Sequence, residues 1–555
     1  MKVRRVARGY LPLAVLIAAQ VLIIVVFPST SPGQGTSSTS SSAGGSPAVA
    51  FSGTAGGTGD RTHCTGGREF STSIDYYAPP CTPGTIGGSY NNGGSTSQGV
   101  TDKTITLVDY YADAGAVVDT ILRGEGLYVD YAQTQQVNAA FQNFVNSHYV
   151  LWGRKLKIET YNSTCRTVPP DTGCLLAEMD TIVQTYHPYA VVWGTTLCSA
   201  CFARLAQDHT IALGGVGFST AFAQANAPYF WSPGESSTSI EEGFAKFWCS
   251  QLTSKNTDRV VSFAQAKNPA QNLNGKKRVL GVISTNDPDN ENTVTNVLIP
   301  ALNRDCGDAG SIAQHHYFYS QDISTAVQQI NAGVSAMDTP TDPATDVVCL
   351  CDPVAPELLY SGEQQHNYYP ENVLADVQGM GVDAVAQSYE STPTQQSLAC
   401  ASWQAGCEFD SAFGITSAAA LPPFSQEAGP ITYRLGGGTN LPMKPFVATG
   451  AWEVLNMLAS LIENTGPDLT PTRMAAAAPA MGTIGGGTTG HAEVGFSKGS
   501  YNWTIDAAVV YWSKTMPSPS NNLPGKFVDI EGTRFLPQSF PKVSEPPVPK
   551  AQSSS

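Results

Sequence analysis

Charge is scarce in this chain. Asp, Glu, Lys and Arg make up 14% of 555 residues, and 30 basic side chains face 45 acidic ones, for a net charge of −15. A nucleic-acid partner needs clustered basic groups, so this balance argues against one. Catalytic signatures are missing too. There is no Gly-x-Ser-x-Gly elbow and no zinc-protease histidine pair, and His315-His316 falls on a predicted strand, where neighbours face opposite ways. Cys198-x-x-Cys201 has no second matching pair for a metal. Asp287-Pro288-Asp289-Asn290-Glu291 lacks the glycine and the distal glutamate of a calcium loop and reads as a solvated turn. Gly485-Gly486-Gly487 is followed by no lysine, which sets aside a phosphate loop. These absences predict a non-enzyme with neither metal nor cofactor.

What is present begins with Lys2, Arg4, Arg5 and Arg8, followed by an apolar run from Leu11 to Phe27 broken only by Pro12 and Gln20. Such a run is long for a signal-peptide core and just long enough to span a bilayer. Residues 1–28 therefore read as a cleaved signal or as an uncleaved anchor, and in both cases the rest lies outside the cytoplasm. No cysteine precedes Cys64, which excludes a lipid anchor on an N-terminal cysteine. Residues 29–98 are rich in Ser, Gly and Thr and read as a spacer. The later part of it, with Cys64, Tyr76, Tyr77 and Cys81, reads as a disulfide-closed flap. Residues 541–555 read as a disordered tail. Twelve cysteines in an exported chain favour disulfides. Cys64 with Cys81 and Cys400 with Cys407 are spaced to close local loops, and Cys249 with Cys306 to tie the ends of a βα unit.

From Gly99 onward, short β-branched runs alternate with segments of helical period. Ile105-Thr106-Leu107, Leu156-Lys157-Ile158, Ala190-Val191-Val192 and Ile211-Ala212-Leu213 read as strands. Helices are expected at Gln133–Val145, Cys174–Tyr186 and Ser199–Asp208. This alternation predicts an α/β fold with parallel sheets. Further on, a helix around Ile240–Leu252 leads to strands at Arg278–Ser284, His315–Tyr319 and Asp346–Cys351. Val382–Tyr389 is expected to return the chain to the first sheet, with a helix at Gly450–Asn464 and a late strand at Trp503–Trp512. Two early strands end in small-residue loops, Gly194-Thr195-Thr196 and Gly214-Gly215-Val216-Gly217. Open α/β sheets bind ligands there, beyond the carboxyl ends of strands, and this makes Thr195, Thr196 and Gly217 candidate contacts.

Four passages resemble one family. They are Gly99-Val100-Thr101-Asp102-Lys103-Thr104-Ile105; Gly153-Arg154-Lys155-Leu156 into Tyr161-Asn162-Ser163-Thr164-Cys165; Val191-Val192-Trp193-Gly194 through Cys198-Ser199; and Phe446 through Gly466. Together they resemble the extracellular solute-binding proteins of the branched-chain amino-acid type, which feed ABC importers. The resemblance spans roughly residues 100 to 515. It implies two Rossmann-like lobes joined by a three-crossover hinge, the type I periplasmic-binding architecture. Lobe 1 would comprise 99–233 and 382–495, and lobe 2 would comprise 234–381 and 496–540. It also implies a small-molecule ligand and a membrane partner, either an ABC permease or, for a sensor of the same fold, a receptor. A Cys165–Cys198 bridge beside the first ligand loop is implied, with Cys174 and Cys201 as alternatives or as a second pair.

Carried onto this chain, the family's ligand serine falls on Ser199, which reads equally as a helix N-cap. The second ligand loop departs from the family pattern. Phe218 stands where the family has a threonine, and Ser219 reaches that role only after a one-residue shift. On lobe 2, Asp352 and Asp376 are candidates for an ammonium group. Tyr110 and Tyr111 are candidates for stacking on a ligand, and Tyr389 for a ligand contact or a hinge residue.

Overall fold

The computed structural model describes residues 59–540 apart from 113–127, 168–169, 194–197, 254–272, 274, 307–314, 321, 353–354, 377–380, 391–408, 410–411 and 421. The expectations for the N-terminal apolar run, for the tail, for Thr195 and Thr196, and for Cys400 and Cys407 lie outside the described residues.

The first lobe is built on β1 (Thr104–Tyr111), β2 (Lys155–Asn162), β3 (Ala190–Trp193), β4 (Ile211–Gly214) and β5 (Phe230–Trp231). They form a parallel sheet in the order β2-β1-β3-β4-β5. Its helices include α1 (Tyr131–His148), α2 (Thr172–Tyr186), α3 (Ser199–Gln207) and α4 (Thr220–Ala225). Helix α1 starts where the sequence can hold it: Asp130 accepts from the Gln133 amide while Gln133 reaches back to the Asp130 amide. That reciprocal pairing satisfies two N–H groups the first turn leaves open. The helix buries Val137, Ala140, Phe141 and Phe144, at the spacing the sequence shows.

The second lobe begins with α5 (Ser237–Phe247) and continues through β6 (Leu280–Thr285), α6 (Pro288–Thr293), α7 (Ile299–Cys306), β7 (His316–Tyr319), α8 (Ile323–Met337), β8 (Asp346–Leu350), α9 (Ala355–His366), β9 (Glu371–Ala375), α10 (Asp383–Glu390) and β10 (Phe413–Thr416). After two helices that return to lobe 1, α11 (Ala428–Leu435) and α12 (Pro445–Thr465), the hairpin β11 (Ala507–Pro517) and β12 (Pro524–Phe535) completes the second sheet. Its order is β12-β11-β10-β9-β8-β6-β7, parallel from β10 to β7 and antiparallel through the hairpin. Buried Arg278, just before β6, pairs through Nη1 with Asp346 at the start of β8 and Glu371 at the start of β9. One guanidinium thus staples the amino ends of adjacent strands.

The architecture is the expected pair of α/β lobes, but the lobe boundaries move. Residues 382–390 and 412–416 stay with lobe 2: in α10, Val385, Ala386 and Tyr389 pack in the core that holds Tyr360, Phe409 and Trp512, and β10 is bonded between β9 and β11. The expected second crossing at Val382–Tyr389 is therefore overturned. The chain returns between β10 and α11, whose Ala428 and Tyr433 join the lobe 1 core. Residues 496–503 stay with lobe 1, since Phe496 and Trp503 pack in its core while Ala508 belongs to lobe 2. Helix α12 is the one helix among the described residues long and apolar enough to cross a membrane, and its apolar window is 83% buried. It is the central core helix of lobe 1.

The flap is folded onto that helix. Cys64 and Cys81 are bonded, and Asp75 accepts from Trp452 Nε1 at 2.7 Å and Asn456 Nδ2 at 2.8 Å. The other described bridges are Cys165–Cys174, Cys198–Cys201, Cys249–Cys306 and Cys349–Cys351. The implied Cys165–Cys198 bridge is thus corrected: each of these cysteines bonds to the near partner on its own loop and adjoining helix.

All three lobe connections meet at Arg534. The first, Ser232–Glu235, is zipped to the third by Ser232 N–H to Tyr501 O at 2.9 Å, Trp503 N–H to Ser232 O at 2.9 Å and Asn502 Nδ2 to Gly234 O at 2.9 Å. Arg534 Nε then lies 3.0 Å from both Asp506 oxygens on the third connection. Its Nη1 and Nη2 donate to Ala418 O at 3.0 Å and Ser417 O at 2.6 Å on the second. Burial pushes the Asp506 carboxyl up, and Arg534 opposes that shift.

Buried carboxyls greatly outnumber buried cations. Among the described Lys and Arg side chains only Arg154, Arg278 and Arg534 are buried, against acids that include Glu69, Asp75, Glu235, Glu241, Glu363, Glu427, Glu453 and Glu463. Loss of solvation pushes Glu235, Glu241 and Glu427 up to about 8 and Asp75 up to about 6. A carboxyl whose folded pKa is raised holds a proton that the unfolded chain has released. Its contribution is complete below the ordinary carboxyl pKa and is lost as pH rises toward the folded value. Thermal unfolding between pH 4 and 9 should therefore give the highest midpoint at the acid end and a decline toward pH 8. Arg534→Ala should cost about 3–5 kcal/mol in denaturant unfolding, because it strands a buried carboxylate and two carbonyls. Arg534→Met combined with Asp506→Asn should cost less than the two single changes added together.

Candidate functional site

The two sheets present their carboxyl ends to each other. The start of α3 and the loop after β4 of lobe 1 touch the segment after β6 of lobe 2, beside the first connection. Ser199 opens α3 as its first helical residue, with Cys198 as the N-cap. Its hydroxyl donates to Asp287 Oδ2 at 3.3 Å. The N-cap role considered for Ser199 is thus not its own; Ser219 is the N-cap of the next helix, its hydroxyl accepting from Phe222 N–H at 2.9 Å to start α4. The same Ser219 hydroxyl donates to Asp289 Oδ1 at 2.5 Å, and the Ser219 amide donates to Asp289 Oδ2 at 2.7 Å. Gly217, at φ +78°, turns the chain through the left-handed region and brings that amide forward.

The Asp287–Glu291 segment is therefore no solvated turn. Asp287 caps α6 by accepting from Asp289 N–H at 3.0 Å, while both carboxylates reach across to lobe 1. Burial pushes the Asp289 carboxyl up and neighbouring Asp287 adds to the shift, while the two Ser219 bonds oppose it.

On lobe 2, Asp352 ends β8 and accepts from Tyr319 Oη at 2.5 Å and from Ala355 N–H at 3.3 Å. Asp376 ends β9 and accepts from Thr416 Oγ1 at 2.7 Å. Both are nearly fully buried. Near the same connections lies Glu235, with one oxygen taken by Ser239 Oγ at 2.7 Å and the other, Oε2, buried without a hydrogen-bond partner. Asp506 and Asp376 raise its pKa further, and Arg534 lowers it. The strand ends are thus strongly acidic.

The remaining candidates sit elsewhere. Tyr110 is buried on the α2 side of the sheet, where it donates to Glu178 Oε2 at 2.5 Å and its ring stacks on Tyr161 at 5.8 Å. It belongs to the core because β1 is covered on both faces. The half-buried Tyr111 donates to Val129 O at 3.2 Å and packs at a tilt on Tyr131. Phe218 lies among Phe202, Phe222 and Phe230 under the lobe 1 loops, so its position after Gly217 is a packing choice. Tyr389 is 1% exposed, packed between Tyr360 and Phe409 in the lobe 2 core.

Sequence reasoning passed over Asp287, Asp289, Glu235 and Arg534. Their partners lie 88 positions away for Asp287, 70 for Asp289 and 28, 116 and 117 for Arg534, and no local periodicity marks such pairs.

No protein-family profile matches the chain, and no curated protein matches it. Solved structures do. A possible leucine/isoleucine/valine-binding protein from Rhodopirellula baltica SH 1 is 13% identical at a TM-score of 0.47, covering 77% of this chain and 96% of its own. The substrate-binding protein of an ABC transporter from Aeropyrum pernix is 14% identical at 0.48, covering 78% and 96%. A fatty acid ABC transporter substrate-binding protein from Thermomonospora curvata is 11% identical at 0.48, covering 82% and 98%.

Proposed function

We propose that this chain is an extracytoplasmic solute-binding protein that captures a small molecule between its lobes and delivers it to an ABC permease. The observation that carries the reading is the apposition of two parallel sheets by their carboxyl ends across three connections. Ser199 and Ser219 on one side meet Asp287 and Asp289 on the other. Strand ends facing each other across a jointed connection make a clamp that works by closure. No chemistry is required of it. The basic flank and the apolar run Leu11–Phe27 place the lobes outside the membrane. Retained as an anchor, that run would favour a second reading, a tethered sensor of the same fold that passes a signal to a receptor.

The test is calorimetry of the full chain against fractionated metabolite pools, with small-angle scattering on the hits. A ligand that reduces the radius of gyration is expected. A protein that takes up no solute and keeps one shape throughout sinks the reading. Mass spectrometry of the mature N-terminus separates the two membrane outcomes: a start beyond Phe27 favours delivery, and an intact Met1 or Lys2 favours the tethered sensor.

A further inference from the structure

The starts of α3 and α4 present donors, the hydroxyls of Ser199 and Ser219 and the amide of Ser219. Such groups bind carboxylates well. In this chain they are already occupied by carboxylates of the opposite lobe. Asp289 takes both the Ser219 amide and the Ser219 hydroxyl, in a two-point grip of 2.7 and 2.5 Å. Asp287 takes the Ser199 hydroxyl at 3.3 Å. Ser219 is fully buried, so no second face of it remains for another partner. Its remaining hydroxyl capacity is used by the Phe222 amide.

The surrounding charge points the same way. Asp287 precedes Asp289 by two positions. Glu241 of α5, also fully buried, is close enough for Asp289 to raise its pKa, and it accepts from Thr293 Oγ1 at 2.8 Å. An incoming carboxylate would have to displace Asp289 and would then face Asp287, two positions away.

We propose that Asp289 is a specificity-determining residue of the cleft. From lobe 2 it fills the place where the Ser219 amide and hydroxyl would hold a ligand carboxylate, so the solute that enters is neutral or cationic at this strand end. The proposal rests on reading the cleft as a ligand site, but the contact itself is tested without any ligand.

The test uses the full chain as wild type, Asp289→Ala, Ser219→Ala and the double variant. Thermal unfolding is followed in sodium acetate, with sodium chloride and acetamide as matched controls. Wild type should respond to acetate no differently from chloride. Asp289→Ala should unfold about 2–4 °C lower and regain at least half of that loss in acetate but not in acetamide. Ser219→Ala removes the hydroxyl bond to Asp289 and the cap of α4, leaves the amide bond, and should fold with a modest loss of unfolding midpoint. It should abolish the acetate response when combined with Asp289→Ala. Acetate stabilisation of wild type that Ser219→Ala removes would overturn the proposal. So would an Asp289→Ala protein that is as stable as wild type or indifferent to acetate. Should Asp289→Ala fail to fold, isothermal titration of wild type and Ser219→Ala with acetate decides alone: no heat in either supports the proposal, and binding lost in Ser219→Ala overturns it. None of these readouts depends on finding the natural solute, so failure of the proposed function would register separately, in the metabolite titrations.

Discussion

Arg534 is one guanidinium asked to hold three pieces of chain in register. Its donors go to a carboxylate on the third connection and to two carbonyls on the second, and its charge moderates Glu235 on the first. A planar fork of donors suits this task, because each bond fixes the direction of the others. A lysine would supply the charge without the geometry. The first sheet is complete by β5, whereas the second takes in the hairpin that carries Arg534. The residue that joins them comes from β12, close to the end of the folded body. The pairing of the lobes is therefore completed late in the sequence, after both cores have been specified.

Much of the fold was legible because it rests on local pattern. The apolar faces of α1 and α2, the buried run at β8 and the small-residue ends of β3 and β4 follow periods that a window of a dozen residues reveals. The errors share a cause. Val382–Tyr389 is expected to carry the chain back to lobe 1, yet it folds as α10 in lobe 2, because Val385, Ala386 and Tyr389 pack against the core with Phe409 and Trp512. The β11–β12 hairpin was half-read: Trp503–Trp512 drew attention, while the partner strand, with Lys526, Asp529 and Glu531 along it, lacks a clean alternation. Disulfide pairing was less legible still. Cys165 and Cys198 suggest each other by resemblance, but Cys174 at the start of α2 and Cys201 in the first turn of α3 lie nearer in space.

The site was half visible for a related reason. Ser199 and Ser219 follow strand ends and precede helices, so their donors could be anticipated. Their acceptors could not. Asp287 and Asp289 sit in a segment whose composition says turn, and only the docking of one lobe on the other gives these carboxylates partners. Tyr110, by contrast, looked available at the end of a strand, but burial between sheet and helix gives it to Glu178. Position along a strand indicates the edge of a sheet, while the face depends on which helices cover it.

Acidity connects the hinge to the cleft. Asp506, Glu235, Asp376, Asp287 and Asp289 converge near the connections, and Arg534 is the one buried cation placed among them. Like charges held this close are tolerated when some keep their protons or when each spends its charge on a donor. Both devices are in use: Glu235 is pushed up to about 8, and Asp289 is held by a two-point grip. On the proposed function, a cleft of this composition lowers the cost of bringing in a neutral or positively charged solute and raises that of an anion. Phe218 fits this arrangement, since its ring is buried under the loop while Ser219 meets the opposite lobe.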